Sequence, residues 1–427
     1  MLFFNIMEQP KRKKILIPIL NRAHYGRLRS VLKAVNDHPK LELMILVASP
    51  LAYSSFFLNL KHSRPALKGQ ALRWYLKARF LSWAGKLNPR FLINKDFLIK
   101  SILDDGFPIY SRVPFFIDGG SSVSMAKSVG FGLIKLADEF NRLKPDAVFV
   151  NADRFEMMAV ALAAAYLNIP IAHNEAGDVS GTIDESVRHA ITKLAQIHFT
   201  STQASRDRVI QMGENPQTVF AVGSPAIDVV KNLDLDALPK ILPPGFQIKD
   251  PYLLVVFHPV ATESSQKNIA LTENILKAVE NMAMPAIFLG SNIDGGSKEV
   301  GLMVKKFLSK NLPFVHFYKT LPPDDFYRFL AGASCALGNS SSFIREGAFF
   351  GAPAVIVGSR QQKRERGENI KEAGCKAQEI ERAVKDQIAH GRFASSLIFG
   401  SGKAGEQIAQ ILAETNPPIQ KTFFDRS

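Results

Sequence analysis

Short apolar runs alternate with longer stretches of helical periodicity along nearly the whole chain. "KKILIPIL", "LELMILVAS", "KPDAVFVN", "IPIAH", "QIHFTS" and "TVFAVGSP" read as strands in the first half. Their near-continuous apolar character fits strands covered on both faces, as in parallel sheets. Between them "YGRLRSVLKAVNDH", "MAKSVGFGLIKLADEFNRL", "EMMAVALAAAYLN" and "DESVRHAITKLA" space apolar residues three and four apart, which is helical. "NLDLDALPKILPPGFQIKD" then breaks the rhythm with three prolines and a glycine, as a connecting segment does. The alternation resumes from "YLLVVFHP" through "PAIFLGS", "FVHFYKTL", "CALGNS" and "PAVIVGS" to a last helix near 403–415. The pattern predicts an α/β protein of two doubly wound domains. Their expected bounds are 1–230, a linker at 231–250, and 251–402. The helix and tail at 403–427 are expected to pack back on the first domain.

Polar residues gather where these strands end. "NRAHYG", "NADRFE" and "HNEAGD" follow strands of the first half; "FHPVATE", "SNIDGGSKE", "GNSSSFIREG" and "GSRQQKRERGEN" follow strands of the second. Ligands of doubly wound sheets bind beyond the carboxyl ends of the strands, so a cleft between facing domains is the expected site.

"GNSSSF" ends a strand and opens a helix, whose free N–H groups and positive dipole end favour an anion such as phosphate. Serine also serves there as an ordinary helix cap. Arg360, Lys363, Arg364 and Arg366 close by favour a diphosphate. No Walker loop or G-x-G-x-x-G occurs, which argues against a P-loop nucleotidase or a standard dinucleotide enzyme. In "HNEAGDVSGTIDESVRH", residues 173–189, Thr182 and Glu185 fit a capping box, and Asp184 with Arg188 an i,i+4 pair. Glu175, just past a buried strand, has no such explanation, and Asp153 stands at the matching end of its neighbour. Adjacent parallel strands would bring these carboxylates together, and carboxylates in a shared cleft have their pKa values pushed apart. His258, at a strand end of the second domain, would face them.

Composition adds three limits. The 427 residues are 46% hydrophobic and 22% charged, an ordinary globular balance. No apolar run is long enough to span a bilayer and the start makes a poor signal peptide, so a cytoplasmic location is expected. Cys335 and Cys375 alone exclude a disulfide framework or a four-cysteine metal site. The net charge of +14 is concentrated in residues 61–100, where ten Lys or Arg face one acid. That segment, with "LRWYLKARFLSWAGKL", reads as a solvated helix packing one face on the core, or as a helix for an anionic membrane surface. No nucleic-acid module is visible, and no nucleic-acid partner is expected.

At the strand-end clusters the sequence resembles the hydrolysing UDP-N-acetylglucosamine 2-epimerases, the enzymes that begin sialic acid synthesis. "NADRFE", "HNEAGDVSGTIDESVRHAITKLAQIHF", "VGSPAID", "FHPV", "NIDGGSKE", "GNSSSFIREG" and "GSRQQKRERGEN" carry the likeness, in family order. The resemblance implies a glycosyltransferase-B-like fold of two Rossmann-like domains, with UDP held mainly by the second. It implies elimination of UDP across C1–C2, then addition of water to the 2-acetamidoglucal with inversion at C2, giving N-acetylmannosamine. No metal or nicotinamide cofactor is implied; a homodimer or homotetramer is. The family's acid/base carboxylates fall on Asp153, Glu175 and Glu185, and its cleft histidine on His258. Its substrate contacts fall on Arg22, Asn292, Ser340, Ser341, Glu346 and Arg364.

Departures bear on the substrate. His24 stands where the family usually has Asp, and Ala152 where it usually has Gly. The first bears on pH dependence or the sugar-contact surface, the second on backbone freedom beside Asp153. The stretch at 53–103 is longer and more basic than the family norm. A related branch acts on a UDP-linked 2,4-diacetamido-trideoxy sugar, which is the alternative substrate. The rival classes are a glycosyltransferase of the same architecture and a non-catalytic sugar-nucleotide or membrane-surface binding protein.

Overall fold

The computed structural model describes residues 11–50, 97–117, 121–290 and 297–425. Asn292 and most of the basic stretch at 53–103 lie outside the described residues. The first half holds strands β1 (Lys13–Ile19), β2 (Leu41–Pro50), β3 (Ile109–Phe116), β4 (Ala147–Asn151), β5 (Ile171–Asn174), β6 (Ile197–Thr200) and β7 (Val219–Ala221). They form one parallel sheet in the order β3-β2-β1-β4-β5-β6-β7. Helices α1 (Arg22–Asp37), α2 (Phe97–Asp104), α3 (Ser122–Leu143), α4 (Phe155–Tyr166), α5 (Ile183–Leu194), α6 (Gln203–Gln211) and α7 (Pro225–Lys231) connect them.

The second half repeats the design. Strands β8 (Leu253–Val256), β9 (Ala286–Leu289), β10 (Val315–Tyr318), β11 (Cys335–Gly338), β12 (Ala354–Val357) and β13 (Ile370–Ala373) form a parallel sheet ordered β10-β9-β8-β11-β12-β13. Its helices are α8 (Ser265–Met282), α9 (Ser297–Leu308), α10 (Pro323–Gly332), α11 (Ser341–Phe350) and α12 (Ala377–His390), and α13 (Ala404–Glu414) ends the chain's regular structure. Two parallel-sheet α/β domains result, as the alternation of apolar runs predicts.

The pleat explains why the strands read as unbroken apolar runs. Ile15, Ile17 and Ile19 of β1 enter one core with Val31 and Leu32 of α1, while Leu16 joins Phe140 and Val160 on the opposite face. In β8, Leu253 and Val255 meet Ile275 and Val279, whereas Leu254 and Val256 meet Phe329 and Phe343. Each such side chain contributes about 1.5–3 kcal/mol on full burial, so both sheet faces are committed. Helix α13 lays Ile408, Ala409 and Leu412 into the α1 face of the first core. Lys13 Nζ donates to the Leu412 and Thr415 carbonyls at 3.0 and 2.6 Å. At the other end of α13 the Asp228 carboxylate accepts the Ala404 and Gly405 N–H groups at 3.0 and 2.7 Å.

In each sheet the order reverses between the first strand and its later neighbour, at β1/β4 and at β8/β11. A crevice opens at such a point. The two crevices face one another, and loops join across them. Gly181 N–H donates to the Arg360 carbonyl at 3.0 Å. Only glycine fits there, since a Cβ would meet the Ser359 carbonyl oxygen at 1.8 Å. Arg29 pairs with Asp324, and Thr202 Oγ1 donates to Glu365, again between domains.

Candidate active site

The carboxylates of the first domain owe their placement to two strained turns. Past β4 the chain takes a left-handed conformation at Ala152 (φ 62°), and past β5 it does so at Glu175 (φ 61°). Neither residue is glycine, and this region costs a residue with a Cβ about 1–2 kcal/mol. Neighbouring groups hold the turns. Asn174 Nδ2 donates to Asn151 Oδ1 at 2.6 Å, tying the two strand ends together. His173 Nε2 lies 3.0 Å from the Ala152 carbonyl and Nδ1 lies 3.1 Å from Thr192 Oγ1, so the ring donates to the first and accepts from the second. Burial pushes the His173 pKa down to about 3, which keeps it neutral and structural.

Asp153 and Glu175 both line the cavity between the domains, about 280 Å³ in volume, and His258 and Ser340 to Ser342 line it from the other side. A roomier hollow of about 990 Å³ lies away from the strand ends, around Lys33, Asp37 and Lys403. The smaller cavity gathers the chemistry. Asp153 pairs with Arg188, which is fully buried and whose Nη1 donates to the Asp178 carbonyl at 2.7 Å. The expected Asp184–Arg188 pair is therefore replaced: the fully buried Arg188 turns inward to Asp153, which lines the cavity. The expected capping box is also not formed. Thr182 accepts from Asp184 N–H, and Glu185 accepts from Ser180 N–H at 2.7 Å, outside the helix. Glu185 supports the wall that Ser180 and Thr182 present, rather than lining the cavity itself.

Glu175 sits between arginines of both domains. Arg345 Nη1, from α11, lies 2.7 Å from its Oε2, and Arg27 Nη1, from α1, lies 3.7 Å from Oε1. Burial pushes this carboxylate up, but Arg345 and Arg27 prevail and hold its pKa at about 2. Asp178 nearby goes the other way, raised by burial and by the Glu175 charge. Two neighbouring carboxylates are thus pushed in opposite directions, though the pair is Glu175 with Asp178 and not the expected Asp153 with Glu175.

The second domain supplies cations and a helix end. Ser340 caps α11, and Asn339 fixes His258 through a reciprocal pair of bonds, each 2.8 Å, to its backbone N–H and carbonyl. Arg364 Nε donates to the Val179 carbonyl at 3.2 Å, and its Nη1 is buried with no partner among the described residues. Burial and the neighbouring Arg345 push the Arg364 pKa down to about 10, a sign of crowded positive charge. Arg360 and Gln361 line the same wall. A multiply charged anion would relieve this crowding and satisfy the α11 N–H groups. Glu346 lies fully buried behind the wall, both oxygens without a hydrogen-bond partner among the described residues, and burial raises its pKa. Arg22 lines the cavity from α1. Sequence reasoning passed over Arg27, Asp178 and Arg345. The one signal for Arg345 was a cation between the apolar Ile344 and the acid Glu346 in "SSFIREGAFF".

A family model described as UDP-N-acetylglucosamine 2-epimerase matches residues 95–413. The chain is 31% identical over 403 residues to the hydrolysing UDP-N,N'-diacetylbacillosamine 2-epimerase of Legionella pneumophila, covering 94% of this chain and 95% of that one. It is 26% identical over 419 residues to the UDP-N-acetylglucosamine 2-epimerase of Neisseria meningitidis, covering 97% and 99%. Its fold matches the Methanocaldococcus jannaschii UDP-GlcNAc 2-epimerase crystallised with UDP-GlcNAc and UDP, with a TM-score of 0.70 at 18% identity over 94% of this chain and 100% of that one.

Proposed function

Because the chain belongs to the UDP-N-acetylglucosamine 2-epimerase family, we propose that it is a hydrolysing 2-epimerase of a UDP-linked 2-acetamido sugar. The observation that carries this reading is one cavity joining Asp153 and Glu175 to the N-terminus of α11 and to Arg345, Arg360 and Arg364. In the first step the C2 proton passes to a carboxylate of the Asp153/Glu175 pair. The C1–O bond breaks, its electrons leave on UDP, and a 2-acetamidoglucal remains. Water then adds across the double bond, hydroxyl to C1 and proton to C2 from the opposite face, giving the free manno sugar. The C2 proton is weakly acidic, so expulsion of UDP runs ahead of its removal. Preorganised donors at the departing diphosphate carry most of the acceleration, and acid–base help adds about 10²–10⁴-fold.

The end-to-end likeness to the Legionella protein makes UDP-N,N'-diacetylbacillosamine the first substrate to try. The Neisseria relative supports UDP-N-acetylglucosamine as the second. Proton NMR in deuterated water, with each sugar nucleotide, separates the outcomes. Free UDP and a manno sugar deuterated at C2 establish the hydrolysing reaction. Interconversion of two UDP-sugars without UDP release would replace it with the non-hydrolysing reaction, and transfer to an acceptor with C2 retained would mark a glycosyltransferase.

A further inference from the structure

Arg345 makes a contact with Glu175 to which the reaction scheme assigns no role. It belongs to α11 of the second domain, is 1% exposed, and crosses to the first domain to reach Glu175 at 2.7 Å. Its other terminal nitrogen, Nη2, donates to Ser341 Oγ at 3.4 Å, and Ser341 opens the helix that faces the cavity. Nε and Nη1 are both buried with no hydrogen-bond partner among the described residues, so the contact to Glu175 is an ion pair, and the same Nη1 lies 3.9 Å from Asp178 Oδ2. One planar guanidinium thus spans the anion-binding helix end and the carboxylate, and still has an unused donor.

Resting on the function proposed above, with Glu175 taking the C2 proton, we propose that Arg345 is a positioning residue shared between the diphosphate and Glu175. As charge builds on departing UDP, the guanidinium is drawn from Glu175 toward the phosphates. The carboxylate then becomes a stronger base at the moment the proton must leave. Before substrate binds, the same contact keeps Glu175 ionised in a buried place where it would otherwise take up a proton.

Other charges also face Glu175. Arg27 and His24 approach from α1, Glu346 from α11, and Arg364 from the loop after β12. Asp178 lies in its own loop and neutral His173 beneath it on β5. Only Arg345 connects Glu175 to the first turn of α11 through a single side chain among the described residues.

Sharing makes UDP and Glu175 competitors, which can be read without turnover. UDP affinity is measured by calorimetry for the wild type, Glu175→Gln, Arg345→Lys and the double variant. Lysine keeps the charge but lacks the fork that spans both partners. Glu175→Gln is expected to bind UDP about fivefold or more tightly than wild type, the low end of ordinary site-to-site coupling. In the Arg345→Lys background the same change is expected to alter affinity less than about twofold. An equal effect in both backgrounds would mean simple through-space repulsion and would overturn the proposal. Failure of the wild type to bind UDP would instead sink the parent reading, and this one with it. Should Arg345→Lys not fold, the wild type still decides. The acid limb of kcat, which reports the bound enzyme, should lie about one pH unit above that of kcat/KM, which reports the free enzyme. Coincident limbs overturn the proposal.

Discussion

At the scale of single residues the two left-handed turns are the costliest feature of the site. Ala152 (φ 62°) precedes Asp153, and replacing it with Gly should remove the steric penalty at the expense of some unfolded-chain entropy. Ala152→Gly is expected to raise stability by about 0.5–1 kcal/mol, measured by urea unfolding. A loss of stability would mean that the strain is not where the backbone places it. Asp153→Asn keeps the shape but removes the charge facing Arg188. It should slow UDP release about a hundredfold or more while UDP affinity stays within about threefold. Equal losses in both would reduce Asp153 to a structural role. The sequence pointed to Asp153 and Glu175, because a charge directly after a buried strand has few bland explanations, but it did not single out Asp178, and Glu185 falls outside the cavity wall. It was silent about their partners. Arg188 lies three residues beyond Glu185 on a helix whose sequence offers a ready local partner, and only the fold shows it buried under Asp153 instead. Arg345 was invisible for the same reason, since its partner comes from the other domain.

Elements follow a similar division. Strands β1, β4, β5, β8, β11 and β12 were legible because both faces are covered, leaving apolar runs whose polar residues, such as Lys13, Asn151, His173 and Asn174, gather at their ends. Strands β3 and β13 were passed over. Each is an edge strand, and "IYSRVPFF" and "IKEA" carry the polar and proline residues that an edge tolerates. Helix α11 shows how one element serves two ends. Ser340 accepts from Ser342 N–H to cap it, while Ser340, Ser341 and Ser342 line the cavity. Ser340→Ala should therefore cost about 1 kcal/mol of stability, as lost caps do. It should also weaken UDP binding several-fold by calorimetry. A stability loss with unchanged UDP affinity would confine the serine to capping and move the anion site off this helix.

Across the whole molecule, buried neutral histidines govern the response to acid. His24 is 3% exposed; its Nδ1 accepts from Leu20 N–H at 3.3 Å, and burial pushes its pKa down to about 3. His24 therefore stays neutral through the working range. His173 is held neutral in the same way, and burial lowers His198 as well. The unfolded chain takes up protons on these rings near pH 6.5, whereas the folded protein does so at lower pH, near 3 for His24 and His173. Unfolding thus binds protons between about pH 6.5 and 3, and stability must fall as the pH drops through that window. Glu175, with its pKa near 2 in the fold, adds a loss of the same sign once the pH falls below its ordinary 4.5. Asp178, Glu346 and Asp228, raised by burial, contribute with the opposite sign. Comparing His24→Asn with the wild type between pH 6.5 and 5 therefore isolates a single ring. There, the slope of unfolding free energy against pH counts protons, at about 1.4 kcal/mol per pH unit for each. His24→Asn can still accept from Leu20 N–H and cannot titrate, so it should lower the count by about one. An unchanged slope would mean that His24 is protonated in the folded protein, with Glu175 as the acid near enough to hold that charge.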